Sequence, residues 1–252
     1  MPLYFHLSRF KLTKDQAQAL PCKISMLDRV VIQSDDQKLK IGLIWTGVEA
    51  FGNNHRRSLS LKDYKHLIQK NECHFFSLQE NSDPIELDYC GLTDLRQEFK
   101  SVDQLATIIK SLDVVITVNT MIAHLSGALG IPTFMITNSL PDWRWGMESN
   151  KIAWYPSLTI FRKEKDDKDW MPAMTRVDKA LKSLIMAKKL LSSDHLAKVQ
   201  KLQKTGEHDQ ALKLLKPSLD LNDEHYLTLC SLSLFEQKEM SVAKQFAEKV
   251  FF

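Results

Sequence analysis

DVVITVNTMIAHLSGALGIP, residues 113–132, changes its periodicity halfway along. Val114 to Val118 is a short apolar run rich in β-branched residues, the composition of a strand buried on both faces of a parallel sheet. The run stops at Asn119. Asn119 and Thr120 are good helix N-cap types, and from Met121 onward Ile122, Leu125, Ala128 and Leu129 fall at helical spacing. A strand therefore runs straight into a helix. Gly127 and Gly130 are expected to let that helix lie close to the sheet and then end, and Ile131-Pro132 leads into the next extended run, TFMIT. A helix that starts at the carboxyl edge of a parallel sheet collects unpaired N–H groups and the positive end of its dipole, a setting that favours phosphate. The same turn also occurs as plain α/β packing that binds nothing. His124, on the first helical turn, has two readings as well: a donor to a phosphate oxygen, or a hydrogen-bonded framework residue.

Working outward, Lys40 to Gly47 (KIGLIWTG) reads as a buried strand ending in glycine, followed by a polar loop, VEAFGNNHRRS, long enough to bind something. A helix is expected from Leu61 to about Lys70, and a second strand over His74 to Gln79 (HFFSLQ). Glu80 to Gln97 is acidic and reads as irregular, and Val102 to Leu112 reads as a helix whose apolar face is Val102, Leu105, Ile108, Ile109 and Leu112. Thr133 to Thr137 is the fourth expected strand, and a short one near Leu158 to Phe161 closes the sheet. Alternating strands and helices imply right-handed crossovers and a doubly wound parallel sheet. The segment PDWRWGMESNKIAWYPSLTIFR carries three tryptophans and a tyrosine. With Arg144 and Arg162 these either stack on a base and cover a sugar, or anchor a loop folded over the sheet edge.

From Trp170 the pattern is wholly helical, with Met174, Val177, Ala180, Leu181, Leu184 and Ile185 on one face to about Leu191. Beyond a Ser192-Ser193-Asp194 break, EHDQALKLLKPSL from Glu207 and EMSVAKQFAEKVF from Glu239 align at a 32-residue offset that sets Ala211 over Ala243. That offset is close to the roughly 34-residue period of tetratricopeptide repeats. Such units need stacked neighbours, so the array reads as incomplete. Three regions result: a leading segment over 1–38 unable to bury a core alone, a Rossmann-like α/β domain over 39–191, and an all-α tetratricopeptide-like tail over 192–252.

Composition narrows the function classes. With 44% hydrophobic residues the chain can fill an ordinary core, and a net charge of +3 does not point to nucleic acid without a clustered basic face. The four cysteines, Cys22, Cys73, Cys90 and Cys230, are far apart and form no metal-ligand spacing, which argues against zinc and disulfides and fits a reducing cytoplasm. The beginning MPLYFHLSRFKL has no signal-peptide pattern, and no run reaches the ~20 apolar residues of a membrane span. Neither GxGxxG nor GxxxxGK[ST] follows a strand, which disfavours a dehydrogenase or a P-loop nucleotidase.

The motifs IGLIWTG, the RRS of HRRSLSL, FFSLQ, LDVVITVNTMIAHLSGALGIP, DWRW, WYP and LTIFR, in this order, resemble a family of bacterial proteins that fuse tetratricopeptide repeats to a glycosyltransferase domain. That domain is similar to the ADP-heptose:lipopolysaccharide heptosyltransferases of glycosyltransferase family 9, and the similarity covers roughly Leu39 to Trp170. It implies the C-terminal, nucleotide-sugar-binding half of a GT-B fold, with a nucleotide-diphosphate sugar as donor substrate and no metal or other cofactor. By the resemblance Thr46, Gly47, Arg57 and Ser58 contact the diphosphate, Gln79 reaches ribose or base, the amides of Asn119, Thr120 and Met121 hold phosphate, and His124 matches the family histidine. Asn119 stands where the family usually has aspartate, and the chain is expected to begin near the linker after the missing acceptor-binding half. No residue is assigned as the catalytic base; Asp142 and Asp113 are equally explained by turn and cap roles. The other class of function compatible with these residues is a non-catalytic interaction module, in which the sheet is a scaffold and the repeats dock a protein or peptide.

Overall fold

The buried runs assemble into one parallel sheet. A computed structural model describes residues 32, 38–47, 54, 57–139, 142–146, 149–152, 154–165 and 167–190. Its strands are β1 (Leu39–Ile44), β2 (Cys73–Ser77), β3 (Thr93–Asp94), β4 (Val114–Val118), β5 (Thr133–Thr137) and β6 (Leu158–Arg162). They lie in the order β3-β2-β1-β4-β5-β6, and every pairing between them is parallel. This is a Rossmann-like α/β fold in which the chain winds outward from the β1/β4 pair in both directions. All five residues of β4 and all five of β5 are buried, so both faces of the sheet are covered there.

The helices of the first unit follow from their caps and stripes. A 3-10 turn, Leu61–Tyr64, runs into α1 (Lys65–Ile68), so the single helix expected over this stretch is a composite that ends at Ile68. The segment expected to be irregular instead holds α2 (Pro84–Cys90) and β3. Asp83 caps α2 by accepting from the Ile85 amide at 2.9 Å, Pro84 occupies the first helical position, and Gly91 ends it at φ 71. Leu87 is the buried residue of α2, while Ile85 and Tyr89 are 78% and 86% exposed. The stretch therefore lacks the apolar stripe by which a helix is read. α3 (Val102–Lys110) is capped by Ser101, which accepts from the Gln104 amide at 3.2 Å. Val102, expected on its apolar face, is exposed in the first turn. α4 (Met121–Ala128) follows β4 as anticipated, and α5 (Met171–Leu190) begins beyond β6.

One core cluster joins Ile32, Ile44, Phe76, Leu78, Val115 and the α3 residues Leu105, Ile108 and Ile109 to Ile122 and Leu125 of α4. Ile32 is the residue of the leading segment that packs into this cluster among the described residues. A second cluster groups Ala123, Met135, Trp145, Leu158 and Ile160, with Tyr155 packed against it. The close approach assigned to Gly127 is made to a side chain: a Cβ there would sit 2.6 Å from Cγ of Tyr155. Gly130 has φ 74 and ends the helix region as expected.

The chain divides into two compact units, Met1–Val177 and Asp178–Phe252, and the sheet belongs to the first. The tail proposed as tetratricopeptide repeats, 192–252, lies outside the described residues, as does most of the leading segment 1–38. No described helix is long and apolar enough to cross a membrane.

The Gly127 contact yields a stability prediction. Gly127→Val gains roughly 0.5 kcal/mol of helix propensity but drives methyl groups into the root of the Tyr155 ring, an overpacking cost of about 1–3 kcal/mol. A net loss of unfolding free energy in urea titration is expected, and an unchanged midpoint contradicts the packing described.

Candidate functional site

β1 and β4 are neighbours, but their onward connections leave in opposite directions, so a crevice opens beyond their carboxyl ends. Thr46 and Gly47 lie just past β1, and Gln79 lies just past β2, rather than inside the strands as the sequence pattern implied. Asn119 and Thr120 lie just past β4. One hydrogen-bonded network ties these strand ends together. The Thr46 and Ser58 hydroxyls meet at 2.9 Å, and the Gly47 amide donates to the Ser58 oxygen at 3.4 Å. The Thr46 amide donates to Oε1 of Gln79 at 3.1 Å.

Arg57 crosses the crevice. Its Nη1 donates to the backbone carbonyl of Asn119 at 3.1 Å, and its Nε donates to Oδ1 of Asn54 at 3.2 Å. Asn54 in turn donates from Nδ2 to the Gly47 carbonyl at 3.1 Å and to the Thr46 hydroxyl at 3.2 Å. A side chain at Gly47 has no room, since its Cβ would fall 2.6 Å from Oδ1 of Asn54 and 2.8 Å from Nη2 of Arg57. The loop after β1 is thereby pinned to the first residue after β4, with a fixed cation between them.

The start of α4 differs from those of α2 and α3. Thr120 occupies the N-cap position with φ −135 and ψ 175, yet its side chain caps no helix amide. Its hydroxyl meets that of Thr117 at 3.1 Å instead. Met121, at the first helical position, is 55% exposed. The helix thus presents its amino end, without a side-chain cap, beside the Arg57 guanidinium.

Asn119 and His124 have other partners. Oδ1 of Asn119 accepts from the indole Nε1 of Trp145 at 2.9 Å, so this side chain holds an aromatic ring rather than capping the helix. His124 stacks on Trp145 with ring centres 4.6 Å apart, and its Nδ1 lies 3.3 Å from the Tyr155 hydroxyl. Burial pushes the His124 pKa down, the Arg144 cation pushes it the same way, and Asp142 opposes them.

The described part of the aromatic segment is anchored on the β5 and β6 side of the core by Trp145. Trp145 is 1% exposed, Arg144 pairs with Asp142 at 2.6 Å, and Arg162 donates to the carbonyls of Trp145 and Ser149 at 2.9 and 3.0 Å. Of the expected site residues, Thr46, Gly47, Ser58 and Gln79 are joined by direct bonds, and Arg57 is bonded to Asn119; Asn54 links the two groups, and Thr120 and Met121 lie at the helix start. His124 belongs to the aromatic group one turn on. Gln79 is buried and spent on the Thr46 amide. Asn54 was not singled out from the sequence, where its only signal is a small amide three residues before Arg57. No group of three or more His, Cys, Asp or Glu side chains able to hold a metal ion occurs among the described residues.

No family model matches the chain. Protein FlbA of Caulobacter vibrioides (strain ATCC 19089 / CIP 103742 / CB 15) is 26% identical over 155 residues, a match covering 57% of this chain and 25% of that protein. The chain therefore spans about a quarter of the length of this curated relative. A crystal structure of the glycosyl transferase family 9 from Veillonella parvula DSM 2008 superposes with a TM-score of 0.43 and 12% identity, covering 61% of this chain and 48% of its own.

The half-buried position of His124 has a pH consequence. Its folded-state pKa lies below the ordinary value of about 6.5, so the unfolded chain takes up the proton first as pH falls. The stability it contributes is present above that value and is lost as pH drops through the folded-state pKa. Nuclear magnetic resonance titration should give His124 a pKa under about 6.5. His124→Gln should flatten part of the stability loss between neutral and mildly acidic pH, leaving the share due to His74, whose pKa is lowered by burial and by Lys38 and Lys40.

Proposed function

We propose that the sheet unit binds the diphosphate of a nucleotide-diphosphate sugar, as the donor-side domain of a glycosyltransferase that passes the sugar to an acceptor hydroxyl. The observation that carries this reading is Arg57, held at 3.1 Å against the Asn119 carbonyl beside a helix start that Thr120 leaves without a side-chain cap. A positive dipole end and a guanidinium side by side at a topological switch point match the charge of a diphosphate. Thr46 and Ser58 add hydroxyl donors on the β1 side.

In transfer, the acceptor oxygen attacks the anomeric carbon as the bond to the diphosphate breaks. Arg57 and the amides at the start of α4 would stabilise the negative charge left on the departing nucleoside diphosphate. The acceptor hydroxyl must lose a proton to a base, a role the geometry assigns to no described residue. Asn119 is neutral and already bonded to Trp145, so its contribution is to hold the aromatic wall and to lend its carbonyl to Arg57. The order of motifs shared with the repeat-fused glycosyltransferases supports the same donor class.

Isothermal titration of the full chain with pyrophosphate, ADP, UDP and GDP tests the reading. Binding of pyrophosphate and at least one nucleotide is expected. Arg57→Gln should weaken both by about 10- to 100-fold, the loss of one or two charge-assisted hydrogen bonds. Thr120→Trp should block the crevice and abolish binding. Absence of heat with all four compounds on folded protein contradicts the proposal.

A further inference from the structure

A second hydrogen-bonded assembly stands on the β2 and β3 side of the crevice, and the diphosphate site does not use it. After β2 the chain forms a short tip, Glu80 to Ser82, before α2 begins. Glu80 and Asn81 are exposed there. Arg96, in the turn after β3, reaches back to this tip. Its Nη1 donates to the Ser82 carbonyl at 2.7 Å and to the Glu80 carbonyl at 3.4 Å. The rest of the guanidinium grips Asp94: Nε lies 2.9 and 2.8 Å from Oδ1 and Oδ2, and Nη2 lies 2.6 Å from Oδ2. Oδ1 of Asp94 also accepts from the Arg96 amide at 3.0 Å. Asp94 pairs with Ser77 in the sheet register, so the clamp is bolted to β2 itself.

Two details show that the arrangement is specific. β3 has two residues, too few to add much sheet pairing, and one of them is Asp94. The bond from Arg96 holds the Asp94 carboxyl below the usual carboxylate range. The tip is also linked to the diphosphate network: the Ser82 hydroxyl donates to the Gln79 carbonyl at 3.3 Å, while the Gln79 side chain holds the Thr46 amide.

In a doubly wound sheet a nucleotide whose phosphates sit at the switch point extends its nucleoside over the carboxyl end of the adjoining strand. Here that strand is β2, and the wall beside it is the Glu80–Ser82 tip. We propose that Arg96, locked by Asp94, is a positioning residue that sets this tip against the nucleoside of the bound nucleotide and so determines how much the base and ribose add to binding. The proposal rests on the donor reading above. It concerns the nucleoside end, whereas Arg57 governs the phosphate end.

The test compares pyrophosphate with ADP, UDP and GDP on the full-length wild type, Arg96→Lys and Asp94→Asn. Lysine keeps the charge but has no planar fork to join a carboxylate to two carbonyls, and Asp94→Asn keeps the volume while removing the charge on the other side of the clamp. Wild type should bind its best nucleoside diphosphate at least about tenfold more tightly than pyrophosphate. Both variants should lose about tenfold for that nucleotide and change less than about twofold for pyrophosphate, with faster amide exchange over residues 80–82. A purely structural role would weaken both ligands together or neither, and either result overturns the proposal. Wild type that binds pyrophosphate and nucleotides equally leaves the diphosphate site standing and overturns the nucleoside role. Wild type that binds neither removes the donor reading, and this inference with it. Thermal unfolding of each variant identifies a folded sample, and Asp94→Asn alone decides the matter where Arg96→Lys is unfolded.

Discussion

The parallel pairing of β1 with β4 is the constraint on which the site depends. Because the chain leaves these two neighbours in opposite directions, no crossover covers their carboxyl ends, and the polar groups just beyond them face a common space. Backbone groups exposed there need partners, and the partners come from the loop after β1. Arg57 supplies one by donating to the Asn119 carbonyl, and Asn54 supplies others by bracing both Arg57 and Gly47. The loop is held by the same bonds that place a cation beside a helix amino end. Fold stability and the proposed anion affinity are thus joined in one small set of residues.

The far wall is aromatic and obeys a different logic. Trp145 carries an N–H that needs an acceptor when the ring is buried, and the Asn119 amide oxygen meets it. That engagement draws Trp145 over His124, and Tyr155 closes on His124 from the other side by packing on Gly127. An amide suffices as acceptor for a neutral indole, so the asparagine has a clear structural task. Half-burial lowers the His124 pKa, and its position one turn into α4 leaves the charge at the mouth to Arg57 and the helix dipole.

Much of the fold was legible because the buried strands announce themselves: VVITV and TFMIT are made of apolar or β-branched residues and coincide with β4 and β5 residue for residue. α2 was not legible, since of its seven residues Leu87 is the buried one and its signals are the Asp83-Pro84 cap and Gly91. A two-residue β3 has no periodicity to read. In the candidate site, motif order names the strand-end residues and Arg57 that the fold brings near one another, whereas the orientation of Asn119 toward Trp145 depends on a partner 26 residues away. Asn54 and Arg96 act through backbone carbonyls, and a carbonyl carries no mark in the sequence.

The central claim is that the amides at the start of α4 and at Gly47 grip a diphosphate together with Arg57. Following the backbone amide resonances of Gly47, Thr120, Met121 and Ile122 while a nucleoside diphosphate is titrated addresses this directly. Saturable shifts concentrated on these amides, absent when the uncharged nucleoside is added, are the result the account predicts. Saturation with these amides unmoved, or no saturation by ADP, UDP or GDP, would contradict it.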